Sequence, residues 1–489
     1  MLSRYPQIKY TPVKPSRHGR APDCSVAVDE RTANRSAEVH QDTSPTADLN
    51  TRKSLNTSLK PGHKITYAAL FLFTVVLYAR PSEFYPGPLT ASIALIIGII
   101  TLAFFIPTQL SLEGNITAPL PEVRLVLLFA LIGLASIPLA ISPADAWHEF
   151  SGAFVRCIVI FIVLVNVVRT PIRLKALLLL TIVVSICLSV GAINDYRLGL
   201  NTVEGYRVNG SRGGIFGNPN DMALHLVTVI PITIALCFAT QRFIARIAYG
   251  VSALMMIAAI TLTFSRGGFL GLLVASTFLA WKIGYRQRVT IAIVGLVVLL
   301  LFVFVAPGNY PARLTSIFVP SLDPVGSAGM RRELLFRSLL TAIRHPLLGI
   351  GMGNFHIVSI HEQVTHNAYT QVAAEMGTAA LVIYTMFIVA PLRKLAQVAR
   401  KTRGERGDSH YYYLAVGLQA SLIGYMVSSF FASVAYLWYV YYLVGYAVCL
   451  RRLYEAETGR LVVLERKTRK EQDQSREVPL IDDREVLIT

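Results

Sequence analysis

Long apolar blocks separated by short charged stretches fill the chain from residue 63 to about 452. A helix needs about 20 apolar residues to cross a bilayer. Roughly twelve blocks approach that length: 64–80, 86–107, 123–141, 152–168, 175–194, 221–240, 243–263, 267–284, 289–306, 371–391, 411–433 and 435–451. The first and fourth are short, and only Ala432-Ser433-Val434-Ala435 separates the last two. The pattern predicts an all-α, polytopic integral membrane protein with about 12 transmembrane helices, spanning residues 63–452, with a large loop at 307–370. Residues 1–62 are polar, rich in Ser, Thr, Pro and Arg and without period, and read as a disordered tail. They lack the apolar core and cleavage site of a secretory signal. Residues 453–489 mix both charge signs and read as a second soluble tail, to which no function is assigned.

Composition sharpens this reading. At 53% hydrophobic, 15% charged and a mean hydropathy of +0.51, the chain is far from the roughly 25% charged residues of a soluble domain. The net charge of +17 suggests nucleic acid at first, but the long uncharged runs argue against it. The charges instead follow the positive-inside rule. Basic residues fill the N-terminal tail, alternate loops (Arg169, Arg173 and Lys175; Arg242 and Arg246; Lys282, Arg286 and Arg288; Arg393 through Arg406) and the C-terminal tail. Both termini are therefore expected in the cytoplasm, with 195–220 and 307–370 outside. The five cysteines show no paired spacing and four lie in apolar segments. Core packing is expected of them rather than disulfides or a metal site.

Ten arginines fall on the other side: Arg80, Arg197, Arg207, Arg212, Arg266, Arg313, Arg331, Arg332, Arg337 and Arg344, while all 11 lysines fall on the cytoplasmic side. A planar guanidinium grips phosphate oxygens bidentately, where lysine acts as a point charge. Ion pairing with Glu204, Asp221, Asp323 or Glu333 is the plainer explanation for any single one of them. For the set, an anionic ligand is the better one.

Four segments carry candidate chemistry. The run Gly210-Ser211-Arg212-Gly213-Gly214-Ile215-Phe216-Gly217-Asn218-Pro219-Asn220-Asp221 combines glycines with a turn and N-cap opening a helix, whose free N–H groups suit an anion. Thr263-Phe264-Ser265-Arg266-Gly267-Gly268 is a tight reversal that holds Arg266 at the membrane edge, where an unpaired charge is expensive. Arg331-Arg332-Glu333-Leu334-Leu335-Phe336-Arg337 predicts an amphipathic helix stopped by Pro346. After it, Gly349-Ile350-Gly351-Met352-Gly353-Asn354-Phe355 reads as a flexible loop, since its spacing is not a dinucleotide fingerprint. Finally, His366-Asn367-Ala368-Tyr369 leads through Glu375 into a membrane helix. There an imidazole could take a proton from an attacking hydroxyl, and Glu375 could orient a partner or pair with an arginine.

These four segments, in this order, resemble the O-antigen ligase / O-antigen polymerase superfamily over roughly residues 205–390. Thr370 and Ala380 stand where the family more often has Leu and Gly. The resemblance implies a metal- and cofactor-independent glycosyltransferase of a bacterial inner membrane, with its active site on the outer face. Its donor would be a glycan linked to undecaprenyl diphosphate, its acceptor a hydroxyl on a glycan, lipid or protein; membrane lipids would surround it and nucleic acid would have no part. It implies that Arg212 and Arg266, with Arg331 or Arg337, hold the diphosphate, and that His366 is the base or helps hold the diphosphate. Asn218, Asn220, Asp221, Asn367, Tyr369 and Glu375 would support them. A polymerase joining repeat units on the lipid carrier is the nearest alternative, because the motifs do not encode the acceptor. A transporter or flippase is a further one, and it would call for matched half repeats and broken helices near the midplane.

Overall fold

The computed structural model describes residues 59, 62–203, 206–210, 216–284, 289, 293, 327–404 and 409–476, with side chains as far as residue 459. Everything below concerns those residues. The fold is a helical bundle. In chain order its helices are α1 (Lys64–Ala79), α2 (Pro81–Phe84), α3 (Pro88–Glu113), α4 (Pro121–Ser136), α5 (Pro143–Glu149), α6 (Val155–Val167), α7 (Pro171–Leu198), α8 (Pro219–Ala239), α9 (Phe243–Thr263), α10 (Arg266–Gly284), α11 (Ser327–Arg344), α12 (Phe355–Val358), α13 (Ala368–Lys401), α14 (Ser409–Ser428) and α15 (Trp438–Arg476). Two-residue strands, β1 (Thr202–Val203) and β2 (Arg207–Val208), pair antiparallel between α7 and α8.

Among the described residues ten helical spans are long and apolar enough to cross a membrane. They coincide with ten of the twelve predicted segments. The segment 435–451 forms the start of α15, which is buried almost throughout from Val440 to Leu453. The segment 289–306 falls almost wholly outside the described residues, as do the N-terminal tail and residues 307–326 of the predicted loop. The chain is thus an all-α polytopic membrane protein.

Two helices differ from the hydropathy pattern for local reasons. The fourth span begins at Pro143, not near residue 152, because Ser142 caps it and Pro143 occupies its first turn. Asp145, His148 and Glu149 hide that turn from a hydropathy reading. A π-turn at Phe150–Phe154 joins α5 to α6. At the other end of the chain, α15 runs on to Arg476, so no helix break marks residue 452.

Small residues set the tightest packing, as expected where lipid and side chains are equally apolar. A Cβ on Gly271 of α10 would lie 2.0 Å from the Ser428 hydroxyl, and one on Gly417 of α14 would lie 2.9 Å from the Pro231 carbonyl of α8. Thus α8, α10 and α14 approach backbone to backbone. At one end of the bundle, a buried ion pair joins Arg451 to Glu122 at 2.8 Å, and Arg169 pairs with Glu113 at 2.6 Å. The opposite end gathers the segments around 142, 207, 220, 265, 354, 366 and 433.

Candidate active site

The site is built from helix starts. Asn218 caps α8, its side chain accepting the Asn220 N–H at 2.9 Å, with Pro219 in the first turn. The predicted N-cap is therefore present. Asn220 then ties two distant motifs together. Its side-chain oxygen accepts from the Ser265 hydroxyl at 3.0 Å and from the Arg207 guanidinium at 3.1 Å. Arg207, itself buried, also donates to the Thr263 carbonyl at 3.1 Å. Asp221 places a carboxylate in the first turn of α8, so the helix N-terminus already faces an acid of its own chain.

Arg266 opens α10 two residues after Phe264, which is left-handed at φ 52°, an uncommon state for a bulky side chain. Ser265 holds the reversal, its hydroxyl accepting the Gly268 N–H at 3.2 Å. The glycines serve packing. A Cβ on Gly267 would stand 2.7 Å from the Phe431 Cβ, and one on Gly268 would stand 2.7 Å from the Ala223 Cβ. Ser428 donates to the Gly267 carbonyl at 3.2 Å, which anchors the turn after α14 to the start of α10.

That same turn reaches the histidine. Thr365 and Ser433 share a 2.9 Å hydrogen bond, and the Tyr369 hydroxyl donates to the Met426 carbonyl at 3.0 Å. His366, also left-handed at φ 52°, lies between these anchors. Asn367 caps α13, accepting the Tyr369 and Thr370 N–H groups at 2.9 and 3.1 Å. Burial, and after it the positive charge of Arg331, lowers the His366 pKa to about 4. The imidazole is therefore neutral near pH 7 and has a free lone pair. Two buried amide atoms close by in the chain, Asn367 Nδ2 and Gln371 Oε1, have no hydrogen-bond partner among the described residues, an uncommon state for buried polar groups.

The predicted residues thus divide. Asn220 is bonded to Ser265, the residue before Arg266, and the charge of Arg331 acts on His366. Arg337 does not join them. It pairs with Glu333 at 2.8 Å one helical turn away, both side chains nearly half exposed. Arg212 lies outside the described residues.

Glu375 is buried and pairs with no arginine among the described residues. It accepts the Phe355 N–H at 3.4 Å and lies near Glu149 and the Tyr436 hydroxyl. It holds the glycine loop rather than an arginine.

The glycine loop itself is far from flexible. Gly377 breaks α13 with φ 86°, which frees backbone groups that the loop takes up. Ile350 N–H donates to the Ala374 carbonyl at 3.0 Å, Gly351 N–H to the Glu375 carbonyl at 2.9 Å, and Thr378 N–H to the Pro346 carbonyl at 2.8 Å. Gly349, Gly351 and Gly353 all have positive φ, and a Cβ on Gly349 would stand 2.4 Å from the Glu375 carbonyl oxygen. Buried Asn354 locks the far side, accepting the Ser142 N–H at 2.8 Å. The loop glycines permit backbone pairing with a broken helix, which sequence spacing alone does not reveal. The preceding amphipathic helix is present as α11 and stops at Arg344, before Pro346, as expected.

Sequence reading placed Arg207 only among the arginines of the outer loops. Its linking role depends on the β1–β2 hairpin, a pairing two residues long that leaves little periodic signal. Thr365 opens the fourth segment, but Ser433 carries no motif signal, and only packing brings the two together. Among the described residues no three His, Cys, Asp or Glu side chains cluster closely enough to hold a metal ion.

Residues 251–385 match the family model described as O-antigen ligase. That stretch contains Arg266, Arg331, Arg337, His366 and Glu375. No curated protein matches the chain. The match falls on three of the four motif segments, and the chain is a multi-pass membrane protein whose residues 251–385 are similar to the O-antigen ligase family.

Proposed function

We propose that the protein transfers a glycan from undecaprenyl diphosphate to an acceptor hydroxyl at the end of the bundle where Arg266, Arg331 and His366 gather, and that this end faces outward from a bacterial inner membrane. The observation that carries the reading is convergence. The stretch 426–433, the end of α14 and the turn after it, touches both the start of α10, beside Arg266, and the Thr365–Tyr369 segment around His366.

In this reading Arg266 and Arg331 hold the diphosphate, with Arg212 as a third partner contributed by the glycine-rich segment. Their charge offsets the negative charge that builds on the leaving diphosphate. The acceptor oxygen attacks the anomeric carbon, the carbon–oxygen bond to the diphosphate breaks, and its electron pair leaves with the lipid. The hydroxyl proton passes to His366. A pKa near 4 makes the resting imidazole a weak base. A bound diphosphate opposes Arg331 and favours the imidazolium, so the donor itself would tune the base towards working pH.

The transporter reading calls for matched half repeats and charged or broken helices near the midplane. α13 is indeed broken at Gly377, yet its freed carbonyls at Ala374 and Glu375 accept from the chain's own loop. The break serves the fold.

Ligation and polymerisation share this chemistry and differ only in acceptor. The test is purified protein in liposomes with a lipid-diphosphate glycan, comparing polymer formation with transfer to added acceptors. Transfer to a separate acceptor is the expected result; elongation of the lipid-linked glycan alone would make the protein a polymerase, and neither product would reject the reading. A topology reporter placing 307–370 in the cytoplasm would reject the outward orientation.

A further inference from the structure

A second feature with basic residues lies beside Trp438. A groove of about 550 Å³ opens between α1, α3 and α6, with walls that include Leu102, Val159 and Trp438. That volume falls within the roughly 300–1,000 Å³ of small-ligand sites. Arg80, His148 and Arg156 project into it.

Arg156 is the unusual one. It sits within the span Pro143–Val167, 13 residues in and therefore about 20 Å along the helix at 1.5 Å per residue. It is exposed, and no acid or other partner bonds it among the described residues. An unpaired arginine at membrane depth is costly and marks a site by default. A second observation points the same way. The π-turn Phe150–Phe154 ends two residues before it, and such turns are frequent at functional sites because they re-aim the side chains that follow.

The charge of the groove selects its occupant. Arg80 is matched by Glu83 at 2.7 Å, which leaves the single positive charge of Arg156. One arginine fits one phosphodiester bidentately. A diphosphate carries more charge and suits the site proposed above, where more than one arginine is assigned to it. We infer that the groove binds a monoanionic membrane phospholipid, with its phosphate on Arg156 and an acyl chain between α1, α3 and α6. This site is separate from the one proposed for the glycan donor and stands whether or not that reading does.

The test uses full-length protein in mild detergent, titrated with phosphatidylglycerol, phosphatidylcholine or undecaprenyl diphosphate and read by native mass spectrometry. One phosphatidylglycerol should bind with about a tenfold preference over phosphatidylcholine. Arg156→Gln should abolish that preference, Arg156→Lys should keep part of it, and Arg266→Gln should leave it intact. Gly98→Leu, which fills the groove from α3 without altering charge, should also lose the lipid and serves if Arg156→Gln cannot be purified. Unchanged phosphatidylglycerol binding in Arg156→Gln or in Gly98→Leu would overturn the assignment. So would an Arg156-dependent preference for undecaprenyl diphosphate.

Discussion

The Ser265 hydroxyl donates to the Asn220 side-chain oxygen at 3.0 Å, joining motifs 45 residues apart in the chain. Arg207 completes the same junction. The position of Arg266 therefore depends on a polar contact between two helix starts. Asn220→Ala should lower glycan transfer about 10- to 100-fold, since misplacing a charge by about 1 Å costs that much. Protein yield and donor-independent thermal stability should fall far less. Full transfer by the variant, measured beside wild type at equal protein, would disconnect this junction from the chemistry.

The helix break at Gly377 gives a stability prediction. A Cβ there would stand 2.3 Å from the Leu347 carbonyl oxygen, and φ is 86°. Gly377→Ala should lower the melting temperature sharply, by the equivalent of several kcal/mol, through overpacking and backbone strain. Gly250→Ala is the control, because a Cβ at that helical position meets nothing within 4 Å. It should be neutral or stabilise by about 1 kcal/mol. Equal melting temperatures for the two variants would refute the described loop packing.

Much of this was visible in the sequence, and the reasons for the rest are physical. Ten spans follow from apolar length alone, because lipid forces every backbone group into a helix. Asn218-Pro219 signals its cap directly, since the preference is local. The glycine loop was misread because Gly349 and Gly351 report a requirement for positive φ but not the partner that imposes it. That partner is a helix 25 residues away, broken at a glycine which resembles any other in a membrane span. The sequence leaves Glu375 either to orient a partner or to pair with an arginine, because its acceptor role towards Phe355 exists only once the loop has folded onto α13.

His366 should make stability depend on pH. Its folded pKa of about 4 lies below the unfolded value of 6.5. The unfolded chain then binds more protons between these values, so stability is full above pH 6.5 and falls as pH drops towards 4. His366→Asn should flatten this part of the melting-temperature profile, removing on the order of 2 kcal/mol of acid destabilisation. Identical profiles for variant and wild type would show that His366 is not held neutral.

The ion pair at the other end of the bundle offers a structural contrast. Glu122 and Arg451 are both buried and 2.8 Å apart. Glu122→Leu should destabilise by about 3–5 kcal/mol because it strands a buried charge, and the double variant Glu122→Leu/Arg451→Met should recover most of that. Thermal melting in detergent distinguishes additive from compensating effects. Additive losses would contradict the pairing.

The central claim is that Arg266 and His366 act on one lipid-diphosphate glycan in different ways. The most direct measurement pairs donor binding with single-turnover transfer for Arg266→Ala and His366→Ala reconstituted in liposomes. Arg266→Ala should weaken donor binding and transfer together. His366→Ala should still bind donor yet lose transfer by about 10²–10⁴-fold, the usual contribution of a general base. Wild-type transfer rates in both variants would contradict the account.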